Sequence, residues 1–172
     1  IATANVIALV GARPVFVDVD DEYLMDVNKV KGAITGKTKA ILPVHLTGNP
    51  VFMPDFQRLF YNDHGFCIDH EPYIPVIEDA AQAIDAEIGA KKVGSWGIAG
   101  EFSLHPLKNM NVWGDGGMVT TNDDKLAEKI RLMRNHGLES RDACVMVAGN
   151  CRLHTIQAVV ALRLMGDVRN VS

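Results

Sequence analysis

The stretch EFSLHPLKNMNVWGDGGMVTTN, Glu101–Asn122, places two short strand-like runs on either side of a glycine-rich turn. A single lysine, Lys108, lies between the first run and the turn, away from the lysine clusters that decorate a solvated face. The GDGG turn, residues 114–117, lets the backbone pass close to that lysine. The stretch therefore predicts a strand, a lysine-bearing loop and a second strand.

Further strand-like runs precede this stretch. They are rich in β-branched and other apolar residues, as strands buried inside a parallel sheet are. We predict strands in RPVFVDVD (13–20), KTKAILPVHL (37–46) and YIPVIEDAA (73–81).

Helical segments separate the predicted strands. We predict helices in IATANVIALV (1–10), MDVNKVKGAI (25–34), MPDFQRLFYNDHG (53–65) and DDKLAEKIRLMRNHG (123–137). Thr3 is expected to cap the first helix, Gly11 to end it, and Asp26 to cap the second. The alternation predicts an α/β fold of three layers, with a mostly parallel sheet and helices on both faces.

No internal repeat or low-complexity linker divides the chain, so residues 1–172 are expected to form one domain or most of one. The sequence opens at Ile1, already helix-like, and closes on an apolar helical segment with nothing after it to pack on. We expect an internal fragment of a longer chain.

The composition is that of a soluble globular protein. Of the 172 residues, 48% are hydrophobic and 22% charged, and the formal net charge is −4. This balance argues against nucleic-acid and anionic-membrane partners. No apolar stretch approaches a membrane span, and the odd set Cys67, Cys144 and Cys151 argues against a disulfide framework. We expect a cytoplasmic protein.

Two titratable residues follow predicted strands. Asp79 ends the third strand, and Lys108 follows a later one, so both are expected at the carboxyl edge of the sheet, where such folds bind ligands. An amine in a partly desolvated pocket can attack a carbonyl, and an aspartate beside a pyridine nitrogen stabilises the protonated ring. These are the two protein groups that a pyridoxal phosphate (PLP) enzyme needs most. Two ordinary surface charges are the alternative.

A set of short motifs points to a family. PVFVDVD, KAILPVHLTG, PVIEDAAQA, GSWGIAGEFSLHPLKN, GDGGMVTTND, KIRLMRNHG and NCRLHTIQA occur in this order. Their order and spacing resemble the DegT/DnrJ/EryC1/StrS family of sugar aminotransferases, which are PLP enzymes of fold type I. The resemblance runs over nearly the whole chain and implies that residues 1–172 are part of the PLP-binding large domain.

The resemblance implies a role for five residues. Lys108 would carry PLP and shuttle the proton of transamination. Asp79 would pair with the pyridine nitrogen, Gln82 would lie beside the ring and its phenolic oxygen, and Ser103 would bind the phosphate. Asn150 would reach the same phosphate from a neighbouring subunit, which implies a homodimer with shared sites.

The resemblance also implies a reaction. Glutamate would give its amine to PLP, and the amine would then pass to a ketone of a nucleotide-linked sugar, or of a keto-cyclitol. The family's N-terminal phosphate loop and small C-terminal domain have no counterpart in this sequence. A truncated or non-catalytic relative that keeps only the fold is therefore the alternative.

Two metal hypotheses also arise from the sequence. Asp18 and Asp20, in DVDD, resemble the DxD pair with which sugar-nucleotide transferases hold a metal. The alternative, which we favour, is a polar turn that follows a strand. His64, Cys67, Asp69 and His70 include zinc-type donors, but their single irregular spacing favours a polar loop. We expect no metal site, and we expect His45 and His136 to be structural rather than catalytic.

Overall fold

The computed structural model describes residues 1–60 and 74–168 of the chain. The helices in this part are α1 (Ala2–Leu9), α2 (Val27–Ala33), α3 (Met53–Phe60), α4 (Asp124–Met133) and α5 (Thr155–Leu164). The strands are β1 (Ile77–Asp79), β2 (Glu87–Ile88), β3 (Lys91–Lys92), β4 (Ala99–Ser103), β5 (Gly117–Thr120), β6 (Leu138–Ser140) and β7 (Ala143–Cys144).

The predicted helix ends are largely confirmed. The Asp26 side chain accepts a hydrogen bond from the Asn28 N–H at the start of α2, and Asp123 accepts one from the Leu126 N–H at the start of α4. Gly11 follows α1 with a φ of 77°, the left-handed conformation that ends many helices. The prediction for Thr3 is wrong, because α1 begins at Ala2 and Thr3 lies inside its first turn.

The central sheet is built from β1, β4 and β5 in the order β1-β4-β5. β1 pairs with β4 in parallel and β4 with β5 antiparallel, and these are the strands predicted at YIPVIEDAA, GEFSLH and GGMVTTN. The segment 41–45 runs parallel to β1 on its other side, where the Asp79 N–H donates to the Pro43 carbonyl at 2.9 Å and the His45 N–H to the Asp79 carbonyl at 3.0 Å. The α/β class with a mostly parallel sheet is confirmed.

Side chains of β1 and β4 alternate between the two faces of the sheet. Val76, Phe102 and Leu104 lie on one face and belong to buried apolar clusters, which α3 and α5 complete with Phe56 and Ala161. On the opposite face of the sheet lie α1 and an open cleft. Helices therefore contact both faces of the sheet. On the cleft face, side chains of β1 and β4 remain accessible to a ligand.

The strand predicted at RPVFVDVD does not form within the described residues. Of the eight residues in this run, only Val19 makes a β-bridge, and its partner is Met25. β-Branched residues favour extended backbone, but a strand also needs a hydrogen-bonding neighbour. Val15 and Phe16 are instead exposed, and the Asp20 side chain closes a turn by accepting from the Glu22 and Leu24 N–H groups.

None of the helices described in residues 1–60 and 74–168 has the length and apolarity that a bilayer crossing requires.

Candidate active site

The cleft face of the sheet collects the chemically active side chains. Register pairs Asp79 of β1 with Glu101 of β4, and Ser103 follows two residues later on the same face. All three line a cleft of about 1710 Å³, which Gln82 and Lys108 also line. Four of the five predicted site residues are thus brought together at the carboxyl ends of the parallel strands.

Asp79 is buried and held by two donors. The Thr3 hydroxyl donates to its Oδ2 at 2.6 Å, and the Ala81 N–H donates to its Oδ1 at 3.2 Å. A carboxylate has about four lone-pair directions, so an ionised Asp79 keeps acceptor capacity for a further donor. Such a carboxylate suits a positively charged ring N–H.

Glu101 lies beside Asp79 in the register and has a raised pKa. Burial, hydrogen bonding to Asp79 and the negative charge of Asp79 together raise the pKa of Glu101 to about 8, against the smaller opposing effect of the positive charge of Lys108. Below that pH the Glu101 carboxyl group keeps its proton. Glu101 is therefore uncharged at neutral pH.

Lys108 is presented by the loop after β4. The Lys108 N–H donates to the His105 carbonyl at 2.9 Å, and the loop is anchored beyond it by the buried side chains of Met110 and Val112. The Lys108 ammonium group has no hydrogen-bond partner among the residues that the structure describes. It is thus available to a molecule in the cleft.

Ser103 and Gln82 keep unused donors toward the cleft. The Ser103 hydroxyl oxygen accepts from the His105 N–H at 3.3 Å, which leaves its hydrogen free to donate to an anion. The Gln82 side-chain oxygen accepts from the Thr47 N–H at 2.9 Å, which directs its amide NH₂ away from that contact. Thr47 adopts a φ of 55° to make this bond.

The opposite face of the same strand carries a structural carboxylate. Glu78 accepts from the backbone N–H groups of Gly94, Trp96 and Gly97, each at 2.7 Å, and from His45 Nε2 at 3.2 Å. Burial acts to raise the pKa of Glu78, but these hydrogen bonds outweigh it and leave the pKa below its ordinary value.

His45 completes this structural contact. Its Nδ1 accepts from the Val51 N–H at 3.0 Å, so Nε2 carries the proton that Glu78 accepts. Both side chains are fully buried. His45 is therefore structural, as expected. It holds the loop that follows residues 41–45 in place against β1.

Asn150 lies apart from the other predicted site residues. It pairs with Asn135 in an antiparallel bridge, and its Oδ1 accepts from Arg152 Nε at 2.9 Å. Asn150 does not line the cleft around Lys108. Within this chain, the structure does not bring Asn150 to the site, and a role from a second subunit stays a prediction.

The acidic pair of DVDD has structural partners. Asp18 pairs with Lys29 Nζ at 3.1 Å, and Asp20 closes the turn described above. In residues 1–60 and 74–168, no three histidine, cysteine or acidic side chains lie close enough together to hold a metal ion. The zinc-type hypothesis for His64, Cys67, Asp69 and His70 lies outside the described residues.

Sequence reasoning missed two residues of the cleft. Thr3 was assigned to a helix cap, although it reaches Asp79 across 76 positions of sequence. Glu101 was passed over, although a charged residue inside the apolar run AGEFSL is a signal. Its spacing of two from Ser103 also places it on the same face of a strand.

Comparisons with known proteins agree with this geometry. The model of the DegT/DnrJ/EryC1/StrS aminotransferase family matches residues 1–171. The chain belongs to this family. A relative from Acidithiobacillus ferrooxidans, named as a UDP-N-acetyl-3-dehydro-alpha-D-glucosamine 3-aminotransferase, is 47% identical over 161 residues, which make up 93% of this chain and 41% of that protein.

Solved structures of aminotransferases show the same fold. Helicobacter pylori PseC, an aminotransferase involved in the biosynthesis of pseudoaminic acid, matches 98% of this chain with a TM-score of 0.88 and 30% identity, over 44% of its own length. The PLP form of the putative sugar aminotransferase Spr1654 from Streptococcus pneumoniae matches 98% of the chain with a TM-score of 0.84 and 27% identity, over 46% of its length. The chain thus spans less than half the length of these relatives. The predicted fold type I class is confirmed.

Proposed function

We propose that this chain is the PLP-binding part of an aminotransferase that moves an amino group from glutamate to a ketone of a nucleotide-linked sugar. One observation carries the proposal. Asp79 and Lys108, 29 positions apart in sequence, line the same cleft at the carboxyl ends of two parallel strands. Family membership and relatives named as nucleotide-sugar aminotransferases support it. A keto-cyclitol is the second acceptor class, because the chain's own residues do not distinguish the two.

The residues of the cleft fit PLP. The cofactor needs an amine for its aldehyde, an anion for its ring nitrogen and donors for its phosphate. Lys108 supplies the amine, Asp79 the anion and Ser103 a hydroxyl with its hydrogen unused, and Gln82 offers an amide NH₂ to the ring's phenolic oxygen. When bound, PLP supplies a conjugated ring that draws electrons away from the carbon bearing the amine.

The protein's own part is to hold charge and move a proton. The Asp79 carboxylate keeps the ring nitrogen protonated, because a negative charge beside a cation raises that cation's pKa. Lys108 Nζ takes a proton from the reacting carbon and returns it to the neighbouring position as general base and then acid. The buried side chains of Met110 and Val112 anchor the loop backbone that carries Lys108.

A second subunit completes the proposed site. We infer that Asn150 contacts the cofactor phosphate of a partner subunit, since in its own chain it lies outside the cleft. The exposed position of Asn150 is compatible with such a contact. The enzyme is proposed to be a cytoplasmic homodimer in which residues 1–172 form part of each PLP-binding large domain.

The absorption spectrum of the protein mixed with PLP tests the proposal. We expect wild type to develop the visible band of a lysine-bound cofactor, and glutamate to remove it. Lys108→Ala is expected to show neither the band nor the glutamate response, because no amine remains to bond the aldehyde. Lys125→Ala, on the exposed face of α4, is the matched control and should behave as wild type.

The result also decides between the enzyme and a non-catalytic relative. A wild-type protein that folds but develops no band is the non-catalytic relative, and the proposed function is then wrong. A band that persists in Lys108→Ala would assign the bond to another lysine. Amino transfer to UDP- and dTDP-linked keto-sugars, compared with keto-cyclitols, then identifies the acceptor.

A further inference from the structure

A second carboxyl group stands beside the one proposed to face the cofactor ring. Glu101 of β4 is the direct partner of Asp79 of β1 in the parallel register, and both line the cleft with Lys108. As register partners on the same face of adjacent strands, the two side chains are neighbours, and hydrogen bonding to Asp79 is among the causes that raise the pKa of Glu101. Two carboxyl groups can share a hydrogen bond only if one of them carries a proton. The proton therefore belongs to either Asp79 or Glu101.

The contacts of Asp79 assign the proton to Glu101. Both Asp79 oxygens already accept, Oδ2 from the Thr3 hydroxyl and Oδ1 from the Ala81 N–H, as an ionised carboxylate does. Within residues 1–60 and 74–168 no N–H or O–H group donates to Glu101, and burial together with the neighbouring Asp79 raises its pKa to about 8. At neutral pH, Glu101 is the donor and Asp79 the acceptor.

We propose that Glu101 is a positioning residue, whose carboxyl group donates a hydrogen bond to the Asp79 carboxylate and holds it charged and directed into the cleft. The inference rests on the proposed function, in which Asp79 takes the ring nitrogen. Asp79 is then fixed from three elements: Thr3 lies in α1, Ala81 in the turn that follows β1, and Glu101 in β4. Glu101 itself touches no reacting atom.

The proton of Glu101 responds to charges on two sides. Asp79 raises the pKa of Glu101 and Lys108 lowers it. The other charged or titratable side chains that line the cleft are Arg13, Lys37, Lys39, His105 and Asp115. Removal of the Asp79 charge should therefore lower the pH at which Glu101 titrates, and removal of the Lys108 charge should raise it.

Infrared spectroscopy of the purified chain, with and without bound PLP, tests the hydrogen-bonded pair directly. We expect a protonated-carboxyl band in wild type at about pH 6 that disappears by about pH 9.5, on either side of the pKa of about 8. The band should be absent in Glu101→Gln and unchanged in Glu139→Gln, which alters an exposed acid of β6. Its midpoint should move to lower pH in Asp79→Asn and to higher pH in Lys108→Ala.

The PLP dissociation constant tests the positioning role. Loss of a hydrogen bond to a charged group corresponds to about tenfold in binding, so Glu101→Ala should weaken PLP binding by about tenfold. Glu101→Gln keeps an N–H donor for Asp79 and should restore most of that affinity. A residue that only fills space would be rescued equally by Glu101→Met, and that result would overturn the positioning role.

The two arms separate the inference from the proposed function. Absence of a protonated-carboxyl band in wild type, or a midpoint that Asp79→Asn leaves unchanged, overturns the inference whether or not PLP binds. A wild type that shows the band and its shifts but binds no PLP sinks the proposed function, and the role of Glu101 toward the cofactor with it. Because the infrared readout needs no cofactor, the two failures are distinguishable.

Discussion

Glu78 and Asp79 are neighbours in one strand, yet they serve opposite faces of the sheet. Glu78 points into the buried face, where three backbone N–H groups and His45 donate to it. Asp79 points into the cleft, where Thr3 and Ala81 donate to it. The first carboxylate has its acceptor capacity filled by the protein, and the second keeps capacity for a ligand.

The difference teaches how one strand separates stability from chemistry. A buried carboxylate without donors is costly, so the filled set around Glu78 holds the turn 94–97 and the segment 41–45 against β1. Asp79 is fixed by fewer contacts, from Thr3, Ala81 and the proton of Glu101, so one lone-pair direction remains for a ligand in the cleft. Substitutions at the two positions should therefore affect different properties.

The largest expected effect is on catalysis at the cleft face. Asp79→Asn replaces a negative charge by a neutral amide, so the protonated ring loses its partner, and we expect the rate of amino transfer to fall about a hundredfold or more. The measurement is kcat with a keto-sugar nucleotide in the PLP-loaded protein. Asp142→Asn, on an exposed loop, is the control. A rate for Asp79→Asn within twofold of wild type would contradict the comparison.

The buried face should respond in stability instead. Glu78→Gln removes the charge that His45 and the turn 94–97 share and places an NH₂ group against their donors. We expect the free energy of unfolding to fall by about 3 kcal/mol, the cost of breaking a buried charged contact. Chemical denaturation measures it, with Glu139→Gln as the matched exposed control. An unfolding free energy equal to that of wild type would show that Glu78 is not structural.

The pH dependence of stability should have opposite signs on the two faces. The pKa of Glu78 is lowered from 4.5 in the folded state, so its contribution is present above that pH and is lost as the pH falls below it. The pKa of Glu101 is raised to about 8, so its contribution is full below 4.5 and is lost as the pH rises through about 8.

Denaturation across this pH range sharpens the comparison and gives the smallest effect. Glu78→Gln should flatten the acid side of the stability profile and leave the alkaline side as in wild type. Glu101→Gln should do the reverse. A variant that flattens both sides would mean that the two carboxyl groups titrate as one unit across the sheet, against the separation described above.

Local chemistry made much of this molecule predictable from sequence. Asp26 and Gly11 mark helix ends through contacts within a few residues, so their positions follow from the sequence alone. The placement of Asp79 and Lys108 also follows, because carboxyl ends of parallel strands meet at one edge of a sheet. Family motifs added Gln82 and Ser103, which the structure places in the same cleft.

The remaining features depend on contacts that local patterns do not encode. Thr3 reads as a helix cap from its neighbours, and only the tertiary arrangement brings it to Asp79. Glu101 meets Asp79 through strand register, which the sequence does not state. RPVFVDVD has the residues of a strand, but among the described residues no strand pairs with it. The role proposed for Asn150 depends on the arrangement of two subunits, which local patterns in one chain do not encode.

The alternation along β1 has a consequence for how the gene can change. A single-residue insertion or deletion between the segment 41–45 and Glu78 that shifted β1 by one position would send Asp79 into the buried donors and Glu78 into the cleft. Both acids would remain in the sequence, but each would lie on the opposite face of the sheet from the one that it occupies now. Length variation before this strand should therefore be tolerated only in loops that absorb it without moving the register.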